Sequence, residues 1–513
     1  MNQVASRTGK SVKNSTVALS YYAVNLILSF FSRKIFLDYL GTEILGLTTT
    51  AQNLLQFLNL AELGISSAVG FTLYKPIHEN NRETINEIIT LQGHLYRRIA
   101  WMILAGGVIL MAFFPLIFKK IHLSLWYAYA TFGVLLFGAL LGYFYNYRQI
   151  LLTASQKDYK VQYSYRTVML VKALFQMGAV AWFRNGFVWW LIFELIFSII
   201  GSVSLHFATI KEFPELKNAS EPFKKLRKKY SEVVVKIKQL FFHKLGSFVL
   251  TQASPLIIYA YTTLTTVALY GNYVTIITGI SMMVGSIFNS MGAGVGNLVA
   301  EGNKSNIRKV FGELFSLRFL IVSTLAFCVY MLADAFIKIW IGSEYILPGS
   351  TLLIICINLF INLHRFTVDA FINAYGLFSD VWSPVIETVI NIGCSVWLGY
   401  KFGLNGVLSG VMISQILVIM IWKPYYLITR GMKGFMKEFI WMNLIHFGVF
   451  LGIGWLCLKF LNIFVIYASG NFIQFFIGAL TVAVTFVVAS WIALYLVSPG
   501  MREISGRIIR LVK

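Results

Sequence analysis

Long apolar runs dominate this chain and decide what it can fold into. Of its 513 residues, 58% are hydrophobic and 12% are charged, and the mean hydropathy is +0.72. Soluble globular domains do not have this composition. The runs are continuous and about 20 residues long, the length at which a helix crosses about 30 Å of hydrocarbon, whereas a β-barrel would show shorter alternating segments. The sequence therefore predicts an all-α, polytopic membrane protein.

The apolar runs predict the individual membrane spans. Fourteen are expected, at residues 16–38, 44–73, 98–118, 124–147, 160–183, 187–210, 237–262, 266–292, 314–340, 348–375, 379–400, 404–423, 438–461 and 471–497. Residues 1–14 are polar and basic, and the first run lacks the small-residue cleavage site of a signal peptide. We therefore expect the N-terminal segment to stay in the mature chain.

Basic residues concentrate in alternate loops. One set of loops contains the N-terminal lysines, the basic run from Lys211 through Lys238 and the C-terminal segment from Arg502 to Lys513, while the intervening loops contain few. Because Lys and Arg are retained on the cytoplasmic side, both termini are predicted to be cytoplasmic. The same bias accounts for most of the net charge of +22, so we expect no nucleic-acid partner.

Weak similarities at a fixed offset indicate an internal duplication. Gly46 corresponds to Gly271, and Arg82 corresponds to Lys304, with offsets of about 220 residues. Six helices per copy would give two parallel lobes related by an axis along the membrane normal, facing each other across a cavity. We predict an N-lobe at 1–210, a basic cytoplasmic linker at 211–236, a C-lobe at 237–430, and an appended helix pair with a basic tail at 431–513.

Polar residues recur at helical spacing on one face of several runs, as expected of helices that line a water-filled cavity. The clearest stripe lies in span ten and consists of Asn358, Asn362, Arg365, Asp369 and Asn373. Other stripes include Gln52, Gln56 and Asn59 in span two and His243 in span seven. Hydrogen-bonded seams in a packed bundle would give the same pattern, so both interpretations stay open.

Charged residues inside the runs are mostly basic. Away from the span ends, seven basic residues stand against five acids, Glu62, Glu194, Asp334, Asp369 and Glu387, so even complete pairing leaves about two positive charges. A basic side chain at the bilayer centre costs about 2.5–3.5 kcal/mol, and a surplus of such charge favours an anionic cargo. Two structural alternatives remain. Arg365 and Asp369 can neutralise each other at i and i+4, and Arg33, Lys34, Lys244 and Arg318 can snorkel to the interface.

Sequence motifs for other chemistry are missing. The four cysteines lie in apolar runs without metal-ligand spacing, His243 and His364 stand apart, and no P-loop follows a strand. A membrane ligase, polymerase or glycosyltransferase would need catalytic residues on a sizeable external loop, and every predicted external loop is short. We expect no cofactor, no metal and no enzymatic activity.

Two segments resemble a known family. RKIFLDYLGTEILGL at residues 33–47 and LAELGISSAVGFTLYKP at residues 60–76 are similar to the opening of polysaccharide transporters, the O-antigen and capsule repeat-unit flippases of the multidrug/oligosaccharidyl-lipid/polysaccharide (MOP) exporter superfamily. The resemblance extends to the helix count and the two-lobe plan. It implies a bacterial inner-membrane protein that moves an undecaprenyl-diphosphate-linked oligosaccharide from the cytoplasmic to the periplasmic leaflet by alternating access.

The implied cargo contains a diphosphate, which agrees with the surplus of positive charge in the spans. The candidates for binding its phosphates are Arg33, Lys172, Lys244 and Arg365. The candidates for binding its sugars are Gln52, Gln56, Asn59, Asn358 and Asn362, and His243 is a further substrate-binding candidate. The candidate carboxylates for coupling to protons or sodium are Glu62, Glu194, Asp369 and Glu387.

We expect a monomer in contact with membrane lipids. A cation-coupled multidrug exporter of the same superfamily is the alternative. It would share the two-lobe plan but have acidic residues dominating its cavity.

Overall fold

The computed structural model describes the backbone of residues 2–512 with gaps at 63, 290–291, 378 and 381. Side chains are described except at 2–12, 61, 239, 242–252, 286–287, 289, 292–293, 508 and 511–512. Within these ranges the chain forms twenty-two α-helices and no strand. The predicted all-α class is therefore confirmed.

The chain divides into two compact units, Met1–Tyr259 with Thr263–Ala268, and Ala260–Thr262 with Leu269–Lys513. The first unit contains α1 (Asn2–Leu58), α2 (Ile65–His78), α3 (Arg82–Ala112), α4 (Phe114–Ile117), α5 (Trp126–Phe144), α6 (Ile150–Ala154), α7 (Asp158–Val161), α8 (Thr167–Trp182), α9 (Gly186–Glu212), α10 (Phe223–Lys229) and most of α11 (Ser231–Tyr261). The predicted domain boundaries at 210, 236 and 430 stay a prediction.

The second unit contains the remaining helices. They are most of α12 (Leu264–Asn289), then α13 (Gly292–Ala300), α14 (Lys304–Trp340), α15 (Gly349–His364), α16 (Phe366–Ala374), α17 (Trp382–Gln415), α18 (Lys423–Arg430), α19 (Met436–Phe460), α20 (Asn462–Ala468), α21 (Phe472–Val497) and α22 (Pro499–Val512). Two π-helical segments, Gln162–Arg166 and Ile416–Trp422, and the 3₁₀ turn Asn59–Glu62 interrupt the α-helices.

Ten helical segments in the described ranges are long and apolar enough to cross a membrane. Two of them, Lys13–Leu58 and Trp382–Arg430, are 46 and 49 residues long and contain the left-handed glycines Gly41 and Gly403. The first contains the predicted span 16–38 and part of the predicted span 44–73, and the second contains most of 379–400 and all of 404–423. Predicted spans 160–183 and 237–262 coincide with α7–α8 and α11, which are not among the ten. The multi-pass architecture is confirmed, and the count of fourteen stays a prediction.

Helices α3 and α14 begin in the same way, one in each unit. The side chain of Asn81 accepts a hydrogen bond from the Thr84 N–H at 3.0 Å, and the side chain of Asn303 accepts one from the Asn306 N–H at 3.1 Å. Such N-caps satisfy amide donors that the first helical turn leaves unpaired. The two caps lie 222 residues apart in the sequence, close to the offset of the duplication, which stays a prediction.

The basic linker of the first unit is docked against the start of α3. The Ala219 N–H donates to Thr90 Oγ1 at 2.8 Å, and the buried carboxylate of Glu87 accepts hydrogen bonds from Lys229 at 2.6 and 2.8 Å. The Tyr230 hydroxyl also donates to Glu87. The hydrogen bond to Glu87 raises the pKa of Lys229. These contacts hold the linker in place although its basic face is solvent-exposed.

We expect Glu87→Gln to release the linker, because a neutral amide binds an ammonium more weakly than a carboxylate does. Limited trypsin digestion in detergent should then cleave the exposed lysines of α10 several-fold faster than in the wild type. The matched control is Glu221→Gln, which removes only an exposed ion pair with Lys225 at 2.9 Å. Equal cleavage of Glu87→Gln and the control would show that Glu87 does not hold the linker.

Helix α17 turns back on itself at Gly403 and forms a tight hairpin in the second unit. A Cβ atom at Gly410 would lie 2.3 Å from the Ser395 nitrogen, which is far inside van der Waals contact. Ser395 Oγ donates to the Val407 carbonyl at 3.0 Å across the same contact. The two halves therefore pack backbone against backbone, and no side chain larger than hydrogen fits at Gly410.

We predict that Gly410→Ala lowers the free energy of unfolding by about 1–3 kcal/mol, because the added methyl forces the two halves of the hairpin apart. Gly393→Ala lies in the same helix, where a Cβ would meet nothing within 4 Å. That control should be neutral or stabilise by about 0.5–1 kcal/mol, the usual gain of Ala over Gly in a helix. Thermal unfolding of the purified variants in detergent measures both, and equal stabilities would contradict the prediction.

Candidate functional site

The second unit contains a cluster of ionisable side chains, which we name the charge cluster. Its members are Arg318, Arg365, Asp369, Glu387 and Lys423. Arg365 Nε donates to Asp369 Oδ2 at 2.7 Å, and Lys423 Nζ donates to Asp369 Oδ1 at 3.0 Å. Glu387 is only 5% exposed and interacts electrostatically with both Arg365 and Lys423. Each oxygen of the Asp369 carboxylate therefore binds its own cation.

Two interruptions of helix geometry position these side chains. Helix α15 ends at His364 and α16 begins at Phe366, so Arg365 lies at the junction, four residues before Asp369. The π-helical segment Ile416–Trp422 ends directly before Lys423. A π-helical turn rotates the residues that follow it relative to a regular α-helix, and such turns occur frequently at functional sites. The predicted i, i+4 contact between Arg365 and Asp369 is present, with Lys423 as a third member.

Arg318 contributes to the charge cluster from α14. Its side chain is buried, with the residue 3% exposed, and its guanidinium carbon lies 4.1 Å from the ring centroid of Phe288 and 5.9 Å from that of Phe366. It interacts electrostatically with Asp369. The snorkelling interpretation is therefore wrong for Arg318. With this residue the cluster has three basic side chains and two acidic ones.

The guanidinium of Arg318 is incompletely hydrogen-bonded. In the part of the chain that the structure describes, its Nε and Nη1 atoms are buried and have no hydrogen-bond partner. A buried donor without a partner costs about 1–3 kcal/mol, and more when it is charged. Contact with an aromatic face offsets part of this cost but leaves the N–H groups unused.

The asparagines of the predicted stripe in span ten are partly committed to helix packing. Asn358 Nδ2 donates to the Leu408 carbonyl at 3.2 Å, which ties α15 to α17. Asn362 is exposed, and its Nδ2 donates to the backbone oxygen of Asn358 at 3.2 Å. The seam interpretation therefore applies to Asn358, while Asn362 presents its side chain at the surface of the unit.

In the first unit, Lys172 and Glu194 form an ion pair between α8 and α9. Lys172 Nζ lies 2.7 Å from Glu194 Oε1, and the two side chains are 16% and 13% exposed. Gln176 donates to the other carboxylate oxygen at 2.9 Å and to the Trp190 carbonyl at 3.1 Å. The charge of Lys172 is therefore matched within the first unit.

A second carboxylate of the first unit binds hydroxyl groups. Glu62 ends the 3₁₀ turn that follows α1, and it accepts hydrogen bonds from Tyr96 at 2.7 Å and Tyr143 at 3.0 Å. Tyr143 also donates to Asn59 Oδ1 at 3.1 Å, so Asn59 and Glu62 belong to one network. Gly64, the residue before α2, has a φ of 94°, a conformation that glycine adopts without steric cost.

The remaining predicted residues are dispersed. Arg33 Nη2 donates to the Ala268 carbonyl at 2.9 Å and has further contacts, while Gln52 and Gln56 are exposed. Lys34 lies at the surface, 3.3 Å from Asp38. The side chains of His243 and Lys244 lie outside the described residues. No group of three or more His, Cys, Asp or Glu that could hold a metal occurs among the described residues.

Comparisons with known proteins agree on the fold. No family model matches the chain. A Yersinia pseudotuberculosis protein named "Putative O-antigen export protein" is 24% identical over 122 residues, which is 23% of this chain and 28% of that protein. The match therefore spans well under two thirds of the relative.

Solved structures match over most of the chain. The lipid II flippase MurJ in an inward closed conformation has a TM-score of 0.65 at 15% identity, covering 94% of this chain and 99% of its own. An inward-facing multidrug resistance MATE family transporter of the MOP superfamily has a TM-score of 0.54 at 14% identity, with 79% and 94% covered. An outward-facing one has 0.52 at 13%, with 82% and 95% covered. At these identities the likeness shows a shared fold.

We predict that Lys172→Met destabilises the protein and that Lys172→Met with Glu194→Leu restores it. Removing one partner of a buried pair costs about 3–5 kcal/mol, whereas apolar replacement of both is often neutral. Because both side chains of this pair are partly exposed, we expect Lys172→Met to cost close to the lower end of this range. Thermal unfolding in detergent measures the effect, and Lys34→Met, which removes an exposed pair, should change stability by less than about 1 kcal/mol. A double variant no more stable than the single one would contradict a structural role for the pair.

Proposed function

We propose that this chain, which has the fold of the MOP exporter superfamily, is a flippase for anionic lipid-linked oligosaccharides. The cargo is an undecaprenyl-diphosphate-linked repeat unit, which it carries from the cytoplasmic to the periplasmic leaflet of a bacterial inner membrane by alternating access. Both termini are cytoplasmic in this proposal, and transport requires no catalytic residue. The observation that supports it best is the charge cluster, where three basic side chains face two acidic ones between apolar helices.

The argument from charge is electrostatic. Partly buried charges act in a medium of lower dielectric constant than water, so an excess of one sign attracts the opposite sign strongly. A diphosphate presents several acceptor oxygens, which match the donors of Arg365 and Lys423. In this proposal Asp369 holds both cations in place until the diphosphate competes for them.

The other predicted residues remain candidates for phosphate binding, sugar binding or ion coupling. Arg33, Lys172 and Lys244 remain candidates for phosphate binding, although Lys172 would first have to release Glu194. Asn362, Gln52 and Gln56 have exposed amides that suit sugar hydroxyls, with Asn59, Asn358 and His243 as further candidates. Glu62, Glu194, Asp369 and Glu387 remain the candidates for coupling to protons or sodium. The cationic central cavity expected from the sequence likewise remains a proposal.

The names of similar proteins support a lipid-linked cargo, since one is named for O-antigen export and another is a lipid II flippase. The multidrug transporters with this fold keep the alternative open. A cation-coupled drug exporter needs acidic residues to attract its cargo, and the sign of the charge cluster argues against it.

Reconstitution into vesicles tests the proposal. We expect the purified protein to move a fluorescent undecaprenyl-diphosphate-linked saccharide between leaflets, so that dithionite quenches the inner-leaflet label several-fold faster than in protein-free vesicles. The corresponding neutral polyprenol saccharide should not be moved. Arg365→Gln should slow exchange by about tenfold, the effect of losing one charge-assisted hydrogen bond of about 1.4 kcal/mol. Lys433→Gln, an exposed site, is the control.

Two outcomes would reject the proposed function. Equal movement of the charged and neutral lipids would remove the role of the diphosphate. Transport of a cationic dye such as ethidium, without lipid movement, would replace the flippase by the multidrug exporter.

A further inference from the structure

We propose that Arg318 is the primary ligand for the diphosphate group, at a buried site that also includes the turn His364–Thr367. This inference rests on the proposed function and names a residue that neither the polar stripes nor the span-ten charges assign to the cargo. The supporting observation is that several buried polar atoms of the second unit have no hydrogen-bond partner among the described residues.

Further buried polar atoms without a partner in the described ranges lie at the junction of α15 and α16, where the ring centroid of Phe366 is 5.9 Å from the Arg318 guanidinium carbon. Besides the Nε and Nη1 atoms of Arg318, the buried atoms His364 Nδ1 and Thr367 Oγ1 have no hydrogen-bond partner among the described residues. His364 is 5% exposed and Thr367 is 1% exposed, and His364 interacts electrostatically with Arg318. Folded proteins pair nearly all buried polar atoms, so such a concentration indicates a site that is completed by a ligand or by water.

The charge of Arg318 selects an anion. Arg365 and Lys423 bind Asp369 directly, whereas Arg318 contacts the face of Phe288 at 4.1 Å and interacts with Asp369 only at longer range. It is therefore the basic side chain of the charge cluster whose buried donors have no partner among the described residues. A phosphate oxygen offers charge-assisted hydrogen bonds, which are stronger than the contact of a guanidinium with an aromatic ring. An anion can thus displace the ring.

The aromatic rings explain why the site is covered. The guanidinium carbon lies 4.1 Å from the ring centroid of Phe288 and 5.9 Å from that of Phe366, so we expect a ring to move aside when a ligand binds. The ring of Phe288 and the anion therefore compete for the same cation. This competition gives two variants with opposite expected effects, which a merely structural arginine would not show.

Binding to the purified full-length protein tests the inference, with farnesyl diphosphate, inorganic pyrophosphate and farnesol as probes in calorimetry. Arg318→Gln should weaken farnesyl diphosphate binding at least about tenfold, and Arg318→Lys should weaken it less, because the charge remains although the planar guanidinium is lost. Phe288→Leu should tighten binding by about threefold, because it removes the competing ring. Lys459→Gln is the control, since Lys459 contacts the ring of Trp455 at the same 4.1 Å but lies outside the charge cluster.

The probes distinguish the source of the anion. Tighter binding of farnesyl diphosphate than of pyrophosphate identifies a lipid headgroup, and equal binding identifies a free diphosphate; either result supports the site if the variants respond as stated. Farnesol binding that Arg318→Gln weakens equally would overturn it. So would wild-type affinity in Arg318→Gln, or unchanged affinity in Phe288→Leu, with water then completing the site. Gel filtration and thermal unfolding confirm that each variant is folded.

Failure of this inference is separable from failure of the proposed function. If the wild type moves the lipid-linked saccharide in vesicles while Arg318→Gln binds and transports normally, only the role of Arg318 is rejected. If the variants alter diphosphate binding as expected while the wild type moves no lipid, the site stands and the flippase function is rejected.

Discussion

A charge between apolar helices must find an opposite charge, hydrogen bonds or water, and this requirement organises the polar interior of both units. Removing a carboxylate or an ammonium from water costs several kcal/mol per ion even after relaxation. The first unit meets that cost by pairing, as Lys172 with Glu194 and Lys229 with Glu87 illustrate. Glu62 meets it with two tyrosine hydroxyls. The helices of the first unit therefore carry charges whose described partners lie within the same unit.

The second unit meets the same requirement incompletely. Asp369 carries one negative charge but binds two cations, Arg365 and Lys423. Glu387 is the only other carboxylate of the charge cluster. One positive charge is left over, and the incompletely bonded group is the guanidinium of Arg318. A protein that needed only stability would gain from replacing such a residue by an apolar one of similar volume. Retaining the cation at that position is reasonable if an anion binds there during the working cycle, which is why the charge cluster supports transport of an anionic group.

The sequence predicts this arrangement only in part, for reasons of geometry. The contact between Arg365 and Asp369 is visible because residues at i and i+4 share a helix face. The pair of Lys172 and Glu194 joins two helices, so no spacing along the chain indicates it. Lys423 directly follows an apolar run, so the sequence assigns it to a cytoplasmic loop. In the structure it follows the π-helical segment and its side chain donates to Asp369. Tyr96 and Tyr143 are aromatic residues in apolar helices, and nothing in their spacing indicates that both bind Glu62. The helical class follows from composition, and the breaks at Gly41 and Gly403 fall between runs that the sequence predicts as separate spans, 16–38 and 44–73, and 379–400 and 404–423.

The fold leaves the cargo undecided, because lipid flippases and multidrug transporters share it. The decision must come from side chains, and sign is the property that separates the two cargo classes most clearly. A site for a cationic drug cannot keep an unneutralised guanidinium nearby without repelling its ligand, and at 4 Å that repulsion amounts to about 4 kcal/mol for an effective dielectric constant of about 20. An anionic headgroup gains the same amount. A difference of this size between the two cargoes exceeds what a single aromatic contact or sugar hydrogen bond contributes, so the surplus positive charge is the observation on which the proposal of an anionic cargo rests.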